Sequence, residues 1–185
     1  MKIEKLLNEV REIVIWDMEQ QWSIGTLRKI IAPTEYEIKL LAKWRKNNQQ
    51  AFHDDHPITL AGTKEWWQKY MLGNNRILFW VDDQRGNHIG HMGLAKFTKD
   101  SCELDNVVRG KKGQLGIMHF AVESLIWWAF SKLNIKHMSL VTRFDNKHAI
   151  RFYEQLDFWQ DLKTFKQGSP FITMRYKGIW SKKII

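Results

Sequence analysis

Between Cys102 and Phe144 the chain reads as strand, glycine-rich turn, long helix and strand, and no other segment narrows its fold as far. In CELDNVV, Cys102, Leu104 and Asn106 fall on one face and Glu103, Asp105 and Val107 on the other, the two-residue period of a strand. Val107 and Val108 are then apolar neighbours, which predicts a bulge or a strand end. A helix is predicted from near Gly113 or Gln114, because Met118, Ala121, Val122, Leu125, Ile126, Ala129 and Leu133 recur at steps of three and four. KHMSLVTRF reads as the next strand.

The flanking sequence extends this into a mixed α/β order. RILFWVDD and HIGHMGLAKF, joined by the short glycine-containing QRGN, predict a hairpin. KHAIRFYEQL predicts a helix, and FWQDLKTFKQ with PFITMRYKGI a closing antiparallel pair. Upstream, Thr34 and Glu37 have the spacing of a capping box, with Ile38, Leu41 and Trp44 as the buried face of the helix that follows. TLRKIIAP reads as a strand closed by Pro33, and GTKEWWQKYML as a helix beginning near Thr63. Residues 2–20 place Ile3, Leu6, Leu7, Val10, Ile13 and Val14 at helical spacing, which predicts an N-terminal helical extension over 1–24 ahead of one domain over 25–185.

Composition bounds the classes of function. A chain of 185 residues, 44% hydrophobic, can bury a core as one globular domain, and it holds no apolar run of the roughly 18 residues a membrane span needs. The acidic residues that interrupt the N-terminal helix leave no signal-like apolar core, and the lone Cys102 cannot form an internal disulfide, so the cytoplasm is the expected compartment. Net charge is +9, and the positive excess lies beyond residue 24, a surface that gathers anions such as phosphorylated cofactors, nucleotide-linked substrates or nucleic acid.

Chemistry first concentrates in VVRGKKGQLGIMHF. A helix start presents unpaired amides and the positive end of its dipole, and phosphates bind there. Gly110, Gly113 and Gly116 permit tight turns, while Arg109, Lys111 and Lys112 add charge. The loop matches neither a Walker pattern nor G-x-G-x-x-G.

A strand ending in VV, a basic glycine loop opening a long helix, a further strand and then N-x-x-A-I-x-x-Y-E-x-L-x-F resemble the GNAT superfamily of acyl-CoA-dependent N-acetyltransferases. The likeness covers roughly residues 25–178, and LLAKWRKN, PIT before EWWQKYM, and HIGHMGL are similar to the branch that acetylates ribosomal proteins and nucleotide-linked amino sugars. The sequence departs from the family pattern twice: RGKKGQLG does not satisfy R/Q-x-x-G-x-G/A, and Asp157 stands where glycine is usual. The resemblance implies an α/β fold of the α+β type: a mixed, mostly antiparallel sheet splayed between two strands, with helices on both faces.

It also implies acetyl-CoA as cosubstrate, bound by Val107, Val108, Arg109, Gly110, Lys111, Lys112, Gly113, Gln114, Leu115, Gly116, Asn146 and Tyr153. Tyr153, seven residues after Asn146, is implied as general acid toward the departing thiolate. An attacking amine must lose a proton, and Asp105 or Glu103, on one face of the strand before the loop, can accept it. Backbone amides near Val107 and Val108 can hold the carbonyl oxygen.

His53, Asp54, Asp55 and His56 are contiguous, with no second cluster to complete a metal site, so no metal is assigned; together with Trp67 they are candidates for acceptor contact. The expected acceptor is a small-molecule primary amine on a nucleotide-linked amino sugar. The alternatives are a ribosomal-protein N-terminus, or a module that binds CoA or nucleic acid without catalysis. Nucleic acid is disfavoured because no helix-turn-helix, zinc or RNA-recognition signature accompanies the charge. Pairing of two copies through the N-terminal helix is a further expectation.

Overall fold

The computed structural model describes residues 2–17, 19–51, 58–72, 75–166 and 168–178. Eight strands form one sheet: β1 (Glu12–Asp17), β2 (Trp22–Lys29), β3 (Arg76–Asp83), β4 (His88–Ala95), β5 (Ser101–Arg109), β6 (His137–Arg143), β7 (Phe158–Lys166) and β8 (Ser169–Tyr176). Their order is β1-β2-β3-β4-β5-β6-β8-β7, and every neighbouring pair is antiparallel except β5–β6, which is parallel. Among the described residues five α-helices, α1 (Lys2–Glu9), α2 (Glu35–Asn47), α3 (Leu60–Leu72), α4 (Ile117–Lys132) and α5 (Lys147–Glu154), and a short 3-10 turn at Gln49–Ala51 complete the fold.

Two apolar layers cover the sheet. On one face α4 buries Ile117, Ala121, Val122, Leu125 and Ile126 in a cluster with Ile13, Ile15, Phe79, Met92, Leu104 and Leu140, and α5 adds Ile150 and Tyr153. On the other, Ile38, Leu41 and Trp44 of α2 and Trp67 and Tyr70 of α3 meet Leu78, Trp80 and Val108. Helix α2 begins as the sequence implies: the Thr34 hydroxyl accepts from the Glu37 amide, and the Glu37 carboxylate accepts from the Thr34 amide.

Four boundaries differ from the sequence reading, and one is β2, which spans Trp22–Lys29 where TLRKIIAP placed the strand at residues 26–33. The N-terminal helix stops at Glu9, and residues 12–17 form a strand at the sheet edge, alternating exposed and buried along EIVIWD. Ile13 and Val14 satisfy a helical period, yet three consecutive β-branched residues followed by Trp16 prefer the pleat, and pairing with β2 decides between them. Helix α4 starts at Ile117, after Gly116 turns the chain with φ of 78°. Helix α3 starts at Leu60 instead of Thr63, with the Thr59 hydroxyl accepting from the Gly62 amide.

The β5–β6 junction and a β-bulge position the site. The parallel ladder runs only through Ser101↔His137, Cys102↔Met138 and Glu103↔Ser139, after which the strands part while β6 stays paired to β8 as far as Arg143↔Phe171. On its other side β5 carries one extra residue, since Gly93↔Asp105 is followed by His91↔Val108.

A candidate acyl-transfer site where two strands part

Past Glu103 and Ser139 the facing edges of β5 and β6 have no partner strand. Unpaired backbone amides and carbonyls inside a protein need partners, and an extended ligand bearing amides can supply them. The space between is a cleft of about 390 Å³, walled by Glu103 to Val108 on one side and Leu140 to Thr142, Asn146, Ala149 and Tyr153 on the other. Arg45, Asn48, Trp66, Arg76, Ala95 and Lys96 also line it.

Within it, Asp105 and Tyr153 are electrostatically coupled. Tyr153 is 9% exposed, and burial together with the nearby Asp105 charge raises its phenol well above the ordinary tyrosine value. The group is therefore a neutral hydrogen-bond donor across the physiological range. Such a phenol is suited to donating a hydrogen bond and not to surrendering its proton.

The two carboxylates on β5 differ in their partners. Glu103 is held by Lys96, with the Lys96 Nζ 2.8 and 2.9 Å from its two oxygens. Asp105 accepts a hydrogen bond from the Asn106 amide at 2.8 Å, has the Tyr70 hydroxyl as a second hydrogen-bonding neighbour, and has no basic side chain within ion-pair distance among the described residues. Asp105 is thus the carboxylate with capacity left to receive a proton.

Asn146 caps α5, accepting from the Ala149 amide through its side chain at 3.1 Å, and sets the entry of that helix about one turn before Ile150 and two before Tyr153. Seven residues carry the chain from the cleft rim to its wall.

An acetyltransferase (GNAT) domain model matches residues 26–159. The chain belongs to the GNAT acetyltransferase family. No curated protein sequence matches it. Among solved structures, a point mutant of spermidine N-acetyltransferase from Vibrio cholerae superposes with a TM-score of 0.65 at 18% identity, covering 81% of this chain and 93% of that one. The same enzyme in complex with CoA and spermine gives 0.65 at 17%, over 78% and 92%. A dodecameric form of it gives 0.62 at 18%, over 80% and 91%. At this identity the likeness shows the fold.

As a GNAT acetyltransferase the chain is an acyl-CoA-dependent N-acetyltransferase with acetyl-CoA as cosubstrate. The strand separation leaves room, and backbone groups without a strand partner, for an extended ligand. The glycine loop is more divided than the sequence suggests. Gly110 and Lys111 spend their amides on the Ile89 carbonyl, at 2.8 and 3.0 Å, and a Cβ on Gly110 would fall inside the Trp44 indole, so this glycine serves packing. Lys112, Gly113, Gln114 and Leu115 are exposed, Leu115 at 95%, and Gly116 caps α4 with no side-chain cap hydrogen bond at its first turn. Asp157 adopts φ of 62°, the left-handed geometry that explains glycine at that place in the family and which Asp tolerates.

On the acceptor side, Trp67 is buried, stacked on Tyr70 with ring centroids 6.2 Å apart, and Trp66 is the member of the pair that lines the cleft. The Arg45 guanidinium lies 4.0 Å from the Trp66 ring. His53, Asp54, Asp55 and His56 lie outside the described residues. The sequence reading missed Arg45, Tyr70, Arg76 and Asn106. The last left a signal, because Asn is depleted in strand interiors and enriched at left-handed positions.

Proposed function

We propose that the chain acetylates a primary amine on a small molecule by direct attack within a ternary complex. The observation that carries this is Asp105 and Tyr153 lining one cleft where β5 and β6 separate. Asp105 receives the amine proton as the N–C bond forms. Tyr153 donates a hydrogen bond to the sulfur as the C–S bond breaks, and backbone amides at Val107 or Val108 hold the carbonyl oxygen. Glu103, tied to Lys96, shapes the wall. Lys112 to Leu115 and the first turn of α4 offer the amides for the diphosphate. Cys102 takes no part: burial, and then the Glu103 charge, push its thiol up to about 12.

The acceptor is proposed to carry an anionic group beside its amine, with a nucleotide-linked amino sugar as the class. Arg45, Arg76 and Lys96 line the cleft, and Trp66 offers an aromatic face. A polycation would meet those three cations, which weighs against the polyamines of the solved structures despite the two carboxylates on β5. A panel of amines read by free-thiol release tests both levels. Turnover with nucleotide-linked amino sugars and none with spermidine supports the reading. Turnover with spermidine alone overturns the acceptor, and CoA binding without thiol release from any amine overturns the reaction.

A further inference from the structure

We propose that Asn106 is a positioning residue for acetyl transfer, holding one oxygen of the Asp105 carboxylate so that the other faces the acceptor amine. The inference rests on the reading of Asp105 as proton acceptor.

In a regular strand, consecutive side chains point to opposite faces, and the amide of one residue cannot reach the carboxylate of the residue before it. Here it does, with Asn106 Nδ2 2.8 Å from Asp105 Oδ2. The bulge is the cause: β4 advances two residues from Gly93 to His91 while β5 advances three from Asp105 to Val108. Asn106 absorbs the extra residue with φ of 52°. The same step carries the strand from Leu104, packed on the α4 side, to Val108, packed against Trp44 and Trp80 on the other.

The identity of the bulge residue separates backbone need from side-chain need. Glycine satisfies a left-handed φ at least cost, and Asn and Asp tolerate it next best. Only Asn couples that tolerance to a donor, since an ionised Asp can only accept. A bulge alone therefore gives no reason for the amide, whereas a carboxylate that must keep one orientation in the cleft does. The surroundings fit that use. Gly93 lies opposite Asp105 on β4, and a Cβ there would stand 2.9 Å from the Tyr70 hydroxyl, which itself donates to the Ile77 carbonyl at 3.3 Å. The Asp105 charge adds to burial in raising the phenols of both Tyr70 and Tyr153. Tyr70 is also a hydrogen-bonding neighbour of both Asp105 and Asn106, so the amide and the phenol hold the carboxylate together where it lines the cleft.

The test is a double-mutant cycle at steady state, with Asn106→Gly and Asn106→Asp in the wild-type background and Asn106→Gly again in Asp105→Asn. Glycine keeps the bulge and loses the donor, so kcat should fall about tenfold, the scale of one hydrogen bond to a charged group. KM for acetyl-CoA and the thermal midpoint should not change. Asn106→Asp should fall further, because it sets a second carboxylate against the first. In the Asp105→Asn background Asn106→Gly should cost nothing more. Wild-type kcat in either Asn106 variant, or an equal loss in both backgrounds, overturns the proposal. Asp105→Asn with wild-type turnover would instead remove the reading of Asp105 beneath it.

Discussion

Replacing Tyr153 by Phe removes one oxygen from a ring whose packing is otherwise complete. The ring lies edge-on to Phe152 and Phe158, with centroids 5.3 and 5.9 Å away, and a phenyl group keeps both contacts. Folding and acetyl-CoA affinity should therefore be close to those of wild type. What is lost is a neutral donor facing a sulfur that gains charge only as the thioester breaks. A hydrogen bond to a charged group is worth about 1.5–3 kcal/mol, which at 1.36 kcal/mol per tenfold is a fall of roughly 10- to 150-fold in kcat. Steady-state thiol release over a range of acetyl-CoA concentrations measures kcat and KM separately, and a melting curve checks the fold. The same environment makes a second demand. Burial first, and the Asp105 charge second, raise the phenol, so the donor form persists as pH climbs and Tyr153 should impose no alkaline limb on kcat below about pH 10, the ordinary tyrosine value. A mutant kcat within twofold of wild type would refute the assignment.

Three further outcomes follow from buried groups. His91 is fully buried, and burial, opposed by a hydrogen bond with the Asn106 backbone and reinforced by the Arg45 charge, lowers it from 6.5 to about 3. The unfolded chain binds that proton first, so stability is lost as pH falls from 6.5 toward 3, and urea midpoints of His91→Leu should decline less over that window than those of wild type. Gly110→Ala drives a methyl group into the Trp44 indole and should destabilise by about 1–3 kcal/mol in urea titration, with an unchanged midpoint as the contrary result. Cys102 is 3% exposed with its thiol raised to about 12, so thiol reagents at neutral pH should label it only in the unfolded protein, and Cys102→Ala should keep its turnover; loss of turnover would point to a covalent route.

Much of the fold was legible because local signals and tertiary packing agreed. The Thr34–Glu37 box, the β3–β4 hairpin and the apolar run of α4 each state one element without a competitor. Ile13 and Val14 did not, because they satisfy two periods and only the partner strand β2 chooses. The start of α4 slipped because Gly113 and Gln114 can open a helix, whereas Gly116 supplies the left-handed cap. For the site, Asn146 and Tyr153 lie on one short stretch and were visible together. Asp105 could be set apart from Glu103 only by lying nearer the strand separation, since Lys96 arrives from the end of β4 and the Asn106 amide arrives only through the bulge. Doubled valines foretold a bulge or a strand end, but not that the extra residue of the bulge would clasp the carboxylate beside it.

The account stands on the cleft between β5 and β6 as the seat of acyl transfer, and a crystal structure with a thioether analogue of acetyl-CoA addresses this most directly. It should show the extended arm laddered against Leu104–Val108 and Leu140–Thr142, with the acyl carbon between Asp105 and the Tyr153 hydroxyl. A β5–β6 ladder continuing past Glu103 and Ser139, with the analogue bound elsewhere, would contradict it.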